Sequence, residues 1–291
     1  MAMNSDMAAP WLDLDVTRGE QPGTFTTRIS SDWQLVVVPQ GGIVAAIAAR
    51  AMELELNRPD QLLRTMTSVF AGQVAVGPVE ISVEILRRGR SMSQCTATVR
   101  NSGAEAGLTA VAVFGAERKG FSFVDAVPPD VPDPESLRSF RDPLPAGVEF
   151  EFTRPPVPFW ERIVDGRSAL GRAPWEAFED GRAESASWFR IDEPPTSLGG
   201  ALDRVAPIVL CDMMPSAVFQ KVGPSGDTWF GPSADYTIHL FGEAEPGWLL
   251  GHTRARWAGD GYASVEMTLW DQDLIDPIAY ATQIMFFAFG R

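Results

Sequence analysis

A helix that is apolar on every side cannot lie on a protein surface, and this chain encodes one. Gly41-Gly42 leads into Ile43-Val-Ala-Ala-Ile-Ala-Ala-Arg-Ala-Met-Glu-Leu-Glu-Leu56, whose first two turns carry no polar side chain. A helix over Gly42 to Leu56 must therefore be wrapped by other structure. The following segments supply the wrapping. Val79, Ile81, Val83 and Ile85 alternate with Glu80, Ser82 and Glu84, which is the period-2 pattern of a half-buried strand. Arg88-Gly89-Arg90 makes a turn, and Met92 to Val99 and Leu108 to Phe114 read as two more strands. The last is nearly continuous in apolar residues and so central.

The second half repeats this order of elements. Val205 to Gln220 is its apolar helical stretch, with Pro215 predicting a break or kink. Ser233 to Leu240, Trp248 to Trp257, Val265 to Trp270 and Ala279 to Phe289 follow as strands. An offset of 170 pairs Gly77 with Gly247, Gly89 with Gly259, Thr67 with Thr237 and Thr98 with Thr268. An ordered duplication of this kind marks two related units. Between Asp125 and Pro158 lie nine of the 23 prolines, the mark of an extended connector. The expected organisation is a unit over 1–124, an acidic Pro-rich linker over 125–147, and a second unit over 148–291. The fold class is α+β, a double hotdog: two antiparallel sheets joined edge to edge, each wrapped around a central apolar helix.

Composition excludes several classes of function. The net charge is -14, and Lys119 and Lys221 are the only lysines among 24 basic residues. That balance disfavours nucleic-acid binding, which sums many cation contacts to phosphate. No apolar run reaches the roughly 18 residues needed to span a bilayer. The first 25 residues hold Asp6, Asp13, Asp15 and Glu20 and lack the pattern of a secretory signal, so the expected compartment is the cytoplasm. Cys95 and Cys211 stand outside any zinc-like spacing, and only His239 and His252 are present, so neither a metal nor another cofactor is expected.

Two segments carry a family resemblance. Val38-Pro-Gln-Gly-Gly-Ile-Val-Ala-Ala-Ile47 and Gly77-Pro-Val-Glu-Ile-Ser-Val-Glu-Ile-Leu-Arg-Arg-Gly-Arg-Ser91 resemble the helix start and the strand-turn-strand segment of acyl-CoA thioesterase II and the wider thioesterase-like superfamily. The resemblance implies hydrolysis of a fatty or aromatic acyl-CoA by water held on three groups. Asp212 matches the family's helix aspartate, Ser233 its hydroxyl and Gln283 its glutamine. It also implies substrate contacts at Gln40, Gly41 and Gly42 and association into a homodimer or higher homo-oligomer. Arg87, Arg88 and Arg90, the densest basic cluster of the chain, lie at the tip of a turn and read either as solvated turn residues or as contacts for the CoA phosphates. The chain departs from the family at Asp235-Tyr236, where Asp-His is usual, and at Pro39-Gln40, where an aromatic residue and glycines are common.

Physical chemistry gives the three site residues a separate case. Asp212 sits between Ile208-Val-Leu-Cys and Met213-Met214, where an ionised carboxylate loses solvation unless it is paired. Gln283 shares a strand face with Ala281, Met285 and Phe287, so its amide needs buried partners. Taken singly, Asp212 reads as a helix cap, Ser233 as a turn serine and Gln283 as a partner of nearby backbone. Together they can hold a water. In the first half Gln40 stands opposite Asp212 and Val113 opposite Gln283, which predicts one site per chain, built by the second half. Two other readings compete: a ligand-binding protein of the same fold without turnover, and an acyl-CoA hydratase or dehydratase, which needs a histidine beside the aspartate. Gly231-Pro-Ser-Ala-Asp235 departs from a nucleophile elbow at its last position and precedes a strand, which sets aside a serine triad.

Overall fold

The structure is a computed structural model describing residues 10–35, 38–147, 157–173, 175–176, 181–223 and 229–290. The expected start of the second unit at 148 lies outside the described residues. The first half contains β1 (Thr17–Arg18), β2 (Thr24–Ile29), α1 (Gly41–Leu56), β3 (Leu62–Phe70), β4 (Gly77–Arg87), β5 (Met92–Asn101) and β6 (Leu108–Gly115). The second contains β7 (Val164–Leu170), β8 (Glu184–Ile191), α2 (Ala206–Cys211), α3 (Ser216–Val222), β9 (Trp229–Phe230), β10 (Asp235–Leu240), β11 (Trp248–Gly259), β12 (Tyr262–Trp270), β13 (Pro277–Phe286) and β14 (Ala288–Phe289).

The two halves, expected to join edge to edge, do so without a break: the strands form one antiparallel sheet of 12, in the order β1-β2-β4-β5-β6-β3-β10-β13-β12-β11-β8-β7, beside a small β9/β14 pair. The reason is the junction between halves. β3 pairs with β10 along Asp235↔Val69 to His239↔Thr65, so neither half keeps an open inner edge. Thr67 and Thr237, the residues related by the offset of 170, stand opposite each other in this register, and their hydroxyls are 2.9 Å apart. A pseudo-two-fold axis therefore passes between them.

α1 behaves as its composition demands. It packs against β3, β4, β5 and β6 and against α2. Ile43, Ile47, Met52 and Leu56 are each no more than 1% exposed. Burial of such side chains stabilises by about 1.5–3 kcal/mol each. Asn57, in the left-handed region at φ 48°, ends the helix and donates its N–H to Glu53 O at 2.9 Å.

The second helical stretch is broken, and Pro215 explains why. Without an N–H, Pro215 cannot donate the helical hydrogen bond to Cys211 O. The chain turns through Asp212–Pro215 and restarts as α3. α2 lies against β10, β12 and β13, and α3 against β8, β11 and β12.

The connector is bound to the sheet at its far end. Val131 and Leu137 pack on Trp188, Trp248 and Trp270 in a small separate core. Trp188 Nε1 donates to Pro132 O at 3.0 Å, and Trp248 Nε1 donates to Glu135 Oε1 at 2.9 Å. The guanidinium carbons of Arg167 and Arg190 each lie 4.5 Å from the Trp248 ring centre. Among the described residues no helix is long and apolar enough to cross a membrane.

Candidate active site

The turn between α2 and α3 points a carboxylate at the start of α1. Asp212 Oδ2 accepts the Gly42 N–H at 2.9 Å, so a charge from the second half meets the positive end of a helix from the first. Glycine is required there. A Cβ on Gly42 would come within 2.8 Å of Ile208 O and of Val209 Cα, and one on Gly41 would stand 2.9 Å from the Phe70 ring and 3.1 Å from Asp212 Oδ2.

Ser233 and Gln283 complete the cluster. Ser233 Oγ lies 3.3 Å from Asp212 Oδ1 and 3.1 Å from Gln283 Oε1, and its single proton serves one of these acceptors at a time. Ser233 precedes β10 and forms a lone bridge with Met285 of β13, so the strand expected from Ser233 starts two residues later, at Asp235. Gln283 is 2% exposed, and its Nε2 meets no acceptor among the described residues. That buried amide hydrogen is available to a water or a carbonyl oxygen.

The electrostatics suit proton transfer near neutrality. Burial pushes the Asp212 carboxyl up to about 7, against the pull of hydrogen bonds from Gly42, Ser233 and Gly41. Cys211 next to it is buried, and its thiol is pushed well above its ordinary value by the same desolvation.

The structure brings Asp212, Ser233, Gln283, Gly41 and Gly42 together, from both halves rather than from the second alone. It separates the arginines from them. Arg88 donates to the carbonyls of Leu56 and Glu55 at the C-terminal end of α1. At 1.5 Å per helical residue that is about 22 Å from Gly41. Arg87 and Arg90 share this turn and are exposed.

Gln40 is 1% exposed and bonded at both ends of its amide, which corrects its reading as a substrate-facing residue. Tyr236, which stands where the family usually has histidine, buries its hydroxyl, donates it to Ile208 O at 2.8 Å and fixes the last turn of α2. Neither histidine joins the cluster: His239 is exposed on β10, and His252 on β11 bonds Glu184 at 2.8 Å. The hydratase reading therefore lacks its histidine.

A continuous antiparallel sheet with a buried helix at its centre and an aspartate at that helix's start defines a class, and the comparisons agree with it. Residues 128–287 match the acyl-CoA thioesterase C-terminal domain and residues 29–115 the N-terminal domain. The chain belongs to the acyl-CoA thioesterase family. It is similar to a conserved protein of unknown function with hot dog fold from Alicyclobacillus acidocaldarius, at 26% identity and a TM-score of 0.78, over 98% of this chain and 100% of that one. A putative thioesterase II from Thermobifida fusca is 19% identical with a TM-score of 0.74, covering 96% of each chain. The acyl-CoA thioesterase II TesB2 from Mycobacterium marinum is 18% identical with a TM-score of 0.69, over 97% of this chain and 99% of that one. No curated protein matches the chain.

Proposed function

We propose that the protein hydrolyses acyl-CoA thioesters at one site per chain, with the halves acting as a tandem double hotdog divided at 1–124, 125–147 and 148–291. The observation that carries the reading is the meeting of Asp212, Ser233 and Gln283 in one buried cluster at the start of α1. Gln283 and Ser233 hold a water, and Asp212 takes its proton as the water oxygen attacks the thioester carbonyl carbon. The positive end of α1 favours the charge that develops on the carbonyl oxygen. The C–S bond then breaks, the free acid forms, and the proton on Asp212 passes to the departing CoA sulfur.

A panel of acyl-CoAs from short to long, assayed for released thiol, tests the activity. Binding without release from any of them would replace hydrolysis by ligand binding. Within the cluster, Ser233→Ala is expected to reduce kcat by about tenfold at most, since one hydrogen bond is worth roughly 0.5–1.5 kcal/mol. Gln283→Ala frees the water and should cost more, so an order in which Ser233→Ala is the more damaging would reverse their roles.

The second copy expected in a homodimer has a suitable surface. On the sheet face opposite the helices, Val69, Val111, Ile284 and Phe286 are 36–49% exposed. Light scattering over a wide concentration range should give at least twice the 31.7 kDa chain mass; the single-chain mass throughout would contradict association.

A further inference from the structure

Gln40 does something that neither the family match nor the proposed chemistry assigns. Its Oε1 accepts the Ile43 N–H at 3.1 Å, capping α1, while its Nε2 donates to Val209 O across the seam at 2.6 Å. Val209 O is also the acceptor, at 3.3 Å, for the N–H of Asp212. One carbonyl thus joins the amide that orients the first turn of α1 to the turn that carries the carboxylate. The same turn of α1 supplies the Gly42 N–H bonded to Asp212 Oδ2, which closes a ring of contacts through Gln40, Val209, Asp212 and Gly42. Met213 Sδ lies 3.8 Å from Gln40 Nε2, so the amide packs beside the same turn.

We propose that Gln40 is the positioning residue of the site: by bridging Ile43 N–H and Val209 O it holds the start of α1 at the distance where Gly42 N–H meets the Asp212 carboxylate. In the sequence alignment of the two halves Gln40 stands opposite Asp212. Gln40 touches neither water nor substrate in this role, and its consequence for turnover rests on the hydrolytic reading above.

The groups that titrate around Asp212 are few. Cys211 on α2 and Tyr236 on β10 are pushed up by burial and stay neutral through the neutral range. Asp235, also on β10, turns its carboxylate to the Ile284 N–H at 2.6 Å. A change in the titration of Asp212 therefore reports its own hydrogen bonds.

Two variants separate positioning from packing. Gln40→Met keeps the length of the side chain and loses both hydrogen bonds. Gln40→Asn keeps a good helix cap but is one methylene too short to reach Val209 O, and it safeguards the test should the first variant not fold. Carboxyl-carbon NMR of Asp212 in the wild type and each folded variant is the primary measurement. Loss of the Gly42 bond removes an interaction that favours the charged form, so the midpoint moves to higher pH. For the best acyl-CoA, kcat should fall about tenfold with KM little changed, and more at pH 6 than at pH 9. An Asp212 midpoint in Gln40→Asn equal to that of the wild type overturns the proposal and leaves Gln40 as a structural tie between the halves. The NMR result stands whether or not any acyl-CoA is hydrolysed, whereas absence of turnover in the wild type removes only the hydrolytic reading.

Discussion

Asp212→Asn is expected to leave a folded protein whose hydrolysis of its best acyl-CoA is lower by a factor on the order of 10² to 10⁴, the usual worth of general-base assistance. The same variant should be more stable than the wild type at pH 8. The carboxyl titrates near 3.9 in an unfolded chain and is pushed up to about 7 here by burial. The folded protein therefore binds this proton more tightly than the unfolded chain does. Its contribution is fully present below about pH 4 and is lost as pH rises through about 7, a change on the order of 4 kcal/mol. Asparagine has no charge to desolvate and removes that loss. Urea midpoints at pH 4 and pH 8 should show wild-type stability falling relative to the variant. Near wild-type turnover in Asp212→Asn, or equal midpoints at both pH values, would return Asp212 to the role of a helix cap.

Gly42→Ala should damage both stability and rate, although it adds one methyl group. Its Cβ would meet Ile208 O and Val209 Cα at 2.8 Å, and both are backbone atoms that cannot rotate aside. Overpacking of this sort costs about 1–3 kcal/mol. Relief requires the start of α1 to move off α2, which lengthens the bond from Gly42 N–H to Asp212. A displacement of about 1 Å in an active site can cost on the order of 10² in rate. Gly120→Ala is the control, since nothing lies within 4 Å of a Cβ there. A melting temperature and kcat for Gly42→Ala equal to those of Gly120→Ala would show that the two halves do not wedge at this point.

The parts of the fold legible in the sequence are those set by local burial. The all-round apolar character of Ile43–Ala49 demanded a wrapped helix, and these residues are buried. The offset of 170 found Thr67 and Thr237, but the sequence could not show that they face each other across a seam. Strand pairing between distant edges leaves no local trace, so the repeat predicts an edge-to-edge joint without naming the strands that make it. β3, the seam strand, escaped notice because a register shift between Leu63 and Thr65 breaks its alternation. β8 escaped for another reason: its burial runs iBBiBBiB, with the connector and its tryptophan core on one face and α3 on the other, so no period of two survives.

The candidate site was legible where polarity conflicts with its surroundings. Asp212 among apolar neighbours and Gln283 on an apolar strand face both stood out, and both lie in the cluster. Gln40 was noticed for its place before the glycines and given a substrate-facing role. Its partner Val209 lies 169 residues away in the chain, a contact that spacing cannot reveal. The arginines of the β4–β5 turn formed a conspicuous basic cluster. Arg88 instead satisfies the last carbonyls of α1, a task set by helix geometry.

The β3–β10 seam also changes what dilution can do to the site. Asp212 and Gly42 come from different halves, and in a protein made of separate halves their meeting would depend on protein concentration. Here one polypeptide carries both, so the seam forms at an effective concentration set by the tether and not by the protein concentration. The contact between Asp212 and Gly42 therefore does not weaken as the protein is diluted.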